Sequence, residues 1–437
     1  MTWCLYAESV SSPVSTSDLE RLARRVKQAS RAVARSSVAV RNEVLTLAAE
    51  LLESEWRALV EANEGDLARA EAAGMPAAAQ DRLRLNEDRV RSMAAGLRGV
   101  AALADPVGEV VEGWVRPNGL RVSRVRVPLG VVGVIYENRP NVTSDAAGLC
   151  LKAGNAAFLR GSGSALASNM AVVAILRRAA AKAGLPEDAI ALVEDTSHDT
   201  AIEFMRLRGL IDCLIPRGGP ALIASMLEHA TVPYVLDGDG NCHVYVDAAA
   251  DLTMALDIVV NAKTHRFGVC NAAETILVHA NVAEAFLPTL ADALVAAGVE
   301  LRGDERARAI IDAVRAGTAT MTTATDEDFA SEFLGPIVAI GVVPDLDGAI
   351  DHIAKFSSGH SEAIVTFDIA AADRFVNEVD AAAVLVNAST RFIDGTELGL
   401  GAEVGISTQK LHARGPMGVR ELTSVKWIVR GNGQVRQ

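Results

Sequence analysis

Arg266, Phe267, Gly268, Val269, Cys270, Asn271, Ala272 and Ala273 set one cysteine among small residues, running on into Glu274 and Thr275. Such a setting displays a thiolate, the form in which sulfur attacks an acyl carbon. Cys150 and Cys213 sit instead in apolar segments, GLCLKAG and DCLIP, where a thiol serves as a small hydrophobe. From its own neighbourhood Cys270 can be read as nucleophile or as packing. The choice turns on whether distant residues supply what a thiolate needs. His265 and Arg266 are nearest in sequence; one of them could help ionise the thiol, or His265 could be an ordinary core or surface residue.

Tyr136-Glu137-Asn138-Arg139-Pro140-Asn141 follows the strongest strand signal, LGVVGVIY. Its side chains therefore stand at a strand's carboxyl end, where open α/β sheets bind ligands. The amide of Asn138 could face an oxyanion there, although an Asn before Arg-Pro is also ordinary turn chemistry. Two further turns invite phosphate: strand AAFLR passes through Gly161-Ser162-Gly163-Ser164 into a helix, and strand CLIP passes through Arg217-Gly218-Gly219 into a helix that opens with Pro220. Neither carries the full G-x-G-x-x-G fingerprint, and tight strand-to-helix turns need glycine in any case. No acidic residue follows Arg160 across its turn, while Arg160, Ser162 and Ser164 offer donors. That predicts NADPH in preference to NADH, the alternative being that Arg160 only makes a surface ion pair. Cys242-His243 has the residue types of a metal pair, but adjacent ligands without a partner spacing point to a structural role, and no metal is expected.

These residues need a large scaffold. The chain has 437 residues, half of them hydrophobic, enough for two or three domains. A net charge of −13 argues against a nucleic-acid or anionic-membrane surface, so any anionic ligand must meet local donors. Five cysteines make no disulfide framework, which suits a reducing cytoplasm. The apolar runs fall short of a membrane span, and MTWCLYAESV reads as a loose extension rather than a signal peptide. From Thr16 to about Arg98, apolar residues at helical spacing predict several amphipathic helices with solvated charged faces. Pro117-Asn118-Gly119 then sits between two alternating segments as a β-hairpin turn. Strand-helix alternation follows twice, before and after about Val244, predicting a doubly wound parallel sheet and a second α/β domain, with ELTSVKWIVRG as an edge strand in the tail.

Asn138 in YENRP, Arg160 after AAFL, Cys270 in FGVCNAAET and Glu332 in EFLGP fall in the order of the oxyanion Asn, cofactor-ribose Lys, nucleophilic Cys and nicotinamide-ribose Glu of aldehyde dehydrogenases. More narrowly, the chain resembles the γ-glutamyl phosphate reductases of that superfamily, through VPLGVVGVIYENRPNVTSDAAGLCLKAGNA, DGNCHVYVD, AKTHRFGVCNAAETILVH, HIAKFSSGHSEAIVT and the stretch from NASTRFIDG to ELTSVKW. The resemblance runs from about Ser17 to the end. It implies an NADP-binding domain over 1–105 and 127–242, an oligomerisation arm over 106–126 and 413–437, and a catalytic domain over 243–412. It further implies attack by Cys270 on L-glutamate 5-phosphate, a thioester, hydride delivery by NADPH, and release of glutamate 5-semialdehyde in proline biosynthesis. Asn138 and the Cys270 backbone N–H would bind the oxyanion. Arg160, Ser162, Ser164, Arg217, Gly218, Gly219 and Glu332 would hold the cofactor, and substrate candidates are Arg139, Ser357, Ser358, His360, Ser361, Arg391 and Glu403. A homo-oligomer is implied, and the lability of acyl phosphates makes a transient contact with glutamate 5-kinase an expectation. Hydrolytic aldehyde dehydrogenases keep a Glu base where this chain reads Val235-Leu236-Asp237-Gly238-Asp239-Gly240. Its absence suits a reductase, which should not hand a thioester an activated water; the roles of Asp237 and Asp239 stay open. The competing readings are a hydrolytic aldehyde dehydrogenase and a non-catalytic NADP-binding scaffold.

Overall fold

A computed structural model describes residues 17–315 and 321–436. The expected N-terminal extension lies outside them. The predicted helical region forms five helices, Asp18–Arg35, Val38–Ser54, Trp56–Ala72, Ala77–Leu83 and Glu87–Ala102. Side-chain oxygens of Ser17, Ser37 and Asn86 cap three of them, accepting from backbone N–H groups of the first turn. Helix Asp18–Arg35 buries Leu19, Ala23, Val26, Ser30 and Val33. That is one stripe at three- and four-residue spacing, so a single face meets the protein.

The stripe covers one face of a four-stranded parallel sheet ordered Ile190–Leu192, Ala156–Arg160, Val131–Tyr136, Cys213–Arg217. Helices Val38–Ser54, Glu87–Ala102, Pro140–Lys152 and Leu166–Lys182 cover the other. Covering on both faces explains why Val131–Tyr136 is apolar at nearly every position and wholly buried. The chain winds outward from that strand in one direction, then returns to add Cys213–Arg217 on its other side. The order therefore reverses at Val131–Tyr136, and a crevice opens beyond its carboxyl end.

The second sheet has seven parallel strands, ordered Thr322–Thr323, Glu300–Gly303, Ile337–Val343, Ala273–His279, Cys242–Val246, Ser361–Val365, Ala383–Val386. Helices Leu252–Thr264, Ala280–Ala296 and Glu305–Arg315 lie along it. Its central strands begin immediately after Gly240 and Cys270, so this sheet offers the site its amino ends. The hairpin pairs Val110–Val115 with Arg121–Pro128, turning at Gly119 (φ +84°), and the tail strand Thr423–Arg430 adds to it antiparallel. Trp114 and Trp427 meet edge to face on this arm, with ring centroids 5.5 Å apart. Among the described residues no helix is long and apolar enough to cross a membrane.

Candidate active site

Cys270 stands in a turn, closed by the Ala272 N–H donating to the Val269 carbonyl (3.1 Å), just before strand Ala273–His279. Its position is set by backbone contact. A Cβ on Gly240 would lie 1.7 Å from the Cys270 carbonyl oxygen, so only glycine permits the approach. That carbonyl accepts from Cys242 Sγ (3.1 Å). The next residue is anchored as well: Asn271 Nδ2 donates to the Ile393 carbonyl (2.8 Å), and the Asn271 carbonyl accepts from Thr390 Oγ1 (2.7 Å). Below the turn, Lys263 and Glu274 form a fully buried ion pair, and Glu274 also accepts from the Leu334 N–H (3.2 Å). Glu332, two residues earlier, accepts from the Gly240 N–H (2.9 Å). Cys270 and Glu332 thus meet at one glycine.

The Cys270 side chain faces a cleft of about 770 Å³ that also exposes Asn138, Arg139, Arg217, Asp237, Glu332 and Glu403. Burial and the carboxylates of Asp237, Glu332 and Glu403 push its thiol up to about 12, against the pull of Arg217. The strongest cationic pull on the thiolate comes from Arg217, on the smaller sheet. Arg266 lines the cleft, while His265 Nδ1 accepts from Arg391 Nε (3.3 Å). Arg217 is itself paired with Asp237, whose carboxylate also accepts from the Ile406 N–H (2.8 Å). That gives Asp237 a structural part across the cleft; Asp239 lies exposed at its rim. Burial raises Glu403 to about 7 and Glu332 to about 6.

Asn138 comes from the opposite wall, directly after strand Val131–Tyr136, with φ of +21°. Its Oδ1 accepts from the hydroxyls of Ser162 (2.9 Å) and Ser164, and its backbone N–H donates to Ser162 Oγ (3.2 Å). The two serines expected to face cofactor therefore hold this amide, with Nδ2 left as its free donor. Arg160 donates to the carbonyls of Thr196 (2.6 Å) and Ser197 (3.1 Å), while its buried Nε has no partner. Asp195 stands close enough to act on the guanidinium. An acidic group is thus present near Arg160, brought by a turn the local sequence does not reveal. At the second glycine turn the expectation of phosphate meets a carboxylate: Glu137 accepts from the Gly219 N–H (3.3 Å) at the start of helix Pro220–His229.

Arg139, Arg391 and Glu403 line the cleft, but Ser357, Ser358, His360 and Ser361 do not. Ser358 Oγ accepts from the Asn241 N–H (3.0 Å), Ser357 bonds Glu362, and Ser361 Oγ lies 2.7 Å from His360 Nδ1. These four lie beside the start of the Cys242–Val246 strand, at the head of its neighbour Ser361–Val365. His360 is wholly buried, which pulls its imidazole down to about 4. His243, likewise buried, lies 3.0 Å from Glu362. Arg82, Arg84 and Arg89 reach the cleft from the N-terminal helical region and were not among the sequence candidates. Their stretch, RLRLNEDR, carries only the signal of a solvated helix face.

A cysteine and an amide lining one cleft, one on each of two parallel sheets, form the arrangement an acyl-transferring enzyme with a nucleotide-type sheet would use. The aldehyde dehydrogenase family model matches residues 9–314 and 313–428. The γ-glutamyl phosphate reductase of Moorella thermoacetica is 54% identical over 96% of this chain and 99% of its own, and that of Caldanaerobacter subterraneus subsp. tengcongensis is 51% identical over 96% and 100%. The crystal structure of γ-glutamyl phosphate reductase from Thermotoga maritima matches with a TM-score of 0.93 at 45% identity, covering 96% of this chain and all of that one. The chain belongs to the aldehyde dehydrogenase family and, within it, to the γ-glutamyl phosphate reductases.

Proposed function

We propose that this enzyme reduces L-glutamate 5-phosphate to L-glutamate 5-semialdehyde and phosphate with NADPH, through a thioester on Cys270. The observation that carries the reading is Cys270 and Asn138 facing one cleft from two separate sheets. Aldehyde dehydrogenases use nicotinamide dinucleotides, and the residues here suit one: Arg160 has a spare buried donor at a strand end, and Glu332 lies beside the nucleophile's turn. Arg160 would hold the ribose side and Glu332 the nicotinamide ribose. When bound, the reduced cofactor supplies the hydride.

The chain's own part begins with Cys270. Its thiolate bonds to the acyl carbon, Asn138 Nδ2 and the Cys270 N–H receive the charge on the carbonyl oxygen, and the carbon–oxygen bond to phosphate breaks. Glutamate remains as a thioester. After reduction the same two donors hold the oxyanion until the carbon–sulfur bond breaks and the thiolate returns to Arg217. The turn at Leu236 to Gly240 carries no Glu to activate water.

In this reading the four-stranded sheet and its helices form the cofactor unit, the seven-stranded sheet the catalytic unit, and the three-stranded arm a contact between subunits. Val115 (67% exposed) and Trp427 (58%) give the arm an apolar surface suited to a second copy. A reducing cytoplasm fits Cys150, Cys213, Cys242 and Cys270, all of them free thiols. A transient contact with the kinase that makes the acyl phosphate would shorten that compound's exposure to water.

The test is phosphate-dependent reduction of NADP⁺ by glutamate 5-semialdehyde. Activity should require both phosphate and Cys270, vanishing in Cys270→Ala. Turnover without phosphate would point to a hydrolytic dehydrogenase, and none under any condition to a scaffold. Arg160→Glu should shift preference from NADPH toward NADH; an unchanged ratio of kcat/KM values would remove Arg160 from that role.

A further inference from the structure

We propose that Arg82, Arg139 and Arg266 together form the seat of the substrate's phosphate group, an inference that rests on the acyl-phosphate reaction proposed above. The three come from separate parts of the chain: Arg82 from helix Ala77–Leu83, Arg139 from the turn after strand Val131–Tyr136, and Arg266 from the loop leading to Cys270. All line the same cleft. Arg82 Nη2 is 3.9 Å from where a Cβ on Gly268 would stand, two residues from the nucleophile.

Two other arginines of the inner cleft are already engaged, Arg217 by Asp237 and Arg391 by His265. Among the described residues, Arg82, Arg139 and Arg266 have neither an ion-pair nor a hydrogen-bond partner. Like charges gathered in one cleft oppose one another. Arg139 registers this: burial lowers its guanidinium's pKa, Arg217, Arg82 and Arg266 lower it further, and the carboxylate of Asp237 offsets only part of the fall. A phosphate dianion reverses the sign of the arrangement, because planar guanidinium forks match its oxygens in charge and geometry.

The amino-acid end of the substrate has a different place to go. Glu403 and Asp394 stand near each other, and Asp394 acts on Arg391, so an α-ammonium finds carboxylates and an α-carboxylate finds a guanidinium there. With the head group so placed, the phosphate points to the three arginines beside the Cys270 loop. As the sulfur–carbon bond forms and the carbon–oxygen bond breaks, the electron pair stays on the departing phosphate oxygen. The arginines receive that charge, and a proton taken up from solvent is not required for departure.

The experiment is the reverse reaction in the intact enzyme, with inorganic phosphate titrated against fixed semialdehyde and NADP⁺, then semialdehyde titrated at saturating phosphate. Arg82→Gln and Arg266→Gln should each raise the half-saturating phosphate concentration by about tenfold or more, the scale of a lost charge-assisted hydrogen bond. Half-saturation by semialdehyde should move less than twofold. Arg82→Lys, which keeps the charge and loses the fork, should fall between. Unchanged phosphate dependence in both Gln variants would overturn the proposal, as would an equal rise for both ligands, which would place the α-carboxylate there instead. A wild-type enzyme that turns over without phosphate would sink the underlying reaction reading, a result separate from any behaviour of the variants.

Discussion

The two walls of the cleft are built by different means. On the larger sheet Cys270 is fixed by backbone against backbone, with Gly240 pressed on its carbonyl. On the smaller sheet Asn138 is fixed by hydroxyl groups of Ser162 and Ser164 that reach it from another loop. Close packing forbids an added atom outright, because van der Waals repulsion rises steeply, whereas a hydrogen-bonded amide can lose one donor and keep a second. One wall should therefore fail abruptly under substitution and the other by degrees.

Gly240→Ala is the sharpest way to test that contrast. The new methyl cannot share space with the Cys270 carbonyl, so the turn must shift. A displacement near 1 Å commonly costs about 100-fold in rate. We expect at least that loss in kcat with the protein still folded by circular dichroism; near-normal turnover would show that the turn is plastic. On the other wall, the double change Ser162→Ala and Ser164→Ala should lower kcat by roughly tenfold, since the Asn138 amide loses both fixed donors and turns freely. Each single change should cost less, and cofactor half-saturation should hardly move. A large rise in cofactor half-saturation would return the serines to the cofactor site.

The smallest effect concerns the thiol. With its pKa raised to about 12, Cys270 in the free enzyme is almost fully protonated at neutral pH. Its alkylation rate should climb about tenfold per pH unit from 7 to 9 without a plateau. Asp237 raises this pKa, and removing its charge leaves Arg217 unneutralised beside the sulfur. Asp237→Asn should therefore lower the pKa and speed alkylation at pH 7.5 by ~3- to 10-fold, the equivalent of a half to one pKa unit. Slower alkylation would mean that the Arg217 pairing holds the thiol's surroundings in place.

Much of this was legible in the sequence where the information is local. Helical spacing marks the N-terminal helical region, Pro117-Asn118-Gly119 marks the hairpin, the polar residues after the LGVVGVIY run mark Asn138, and the small residues on either side mark Cys270. The glycine turns are less legible for one reason: glycine reports that backbone can come close, not what comes close to it. At Gly219 the visitor is the carboxylate of Glu137, and at Ser162 and Ser164 it is Asn138. Ser357, Ser358, His360 and Ser361 entered as substrate candidates through the resemblance, yet they lead into strand Ser361–Val365, which is buried throughout. Arg82 was illegible because a guanidinium on an exposed helix looks alike whether it meets water or a ligand.

The arm has a consequence for how the chain is made. Strand Arg121–Pro128 pairs on one side with its neighbour Val110–Val115, but its other side waits for Thr423–Arg430. Those partners are about 300 residues apart, an interval of ~15 to 60 s at ribosomal speeds of roughly 5–20 residues per second. Throughout that time a growing chain carries a bare strand edge, the kind of surface on which nascent chains aggregate. The strand reads RVSRVRVP, and it carries charge along its length, Arg124 paired with Glu112 and Arg126 with Glu109. Charged side chains on an edge strand disfavour pairing with a second chain.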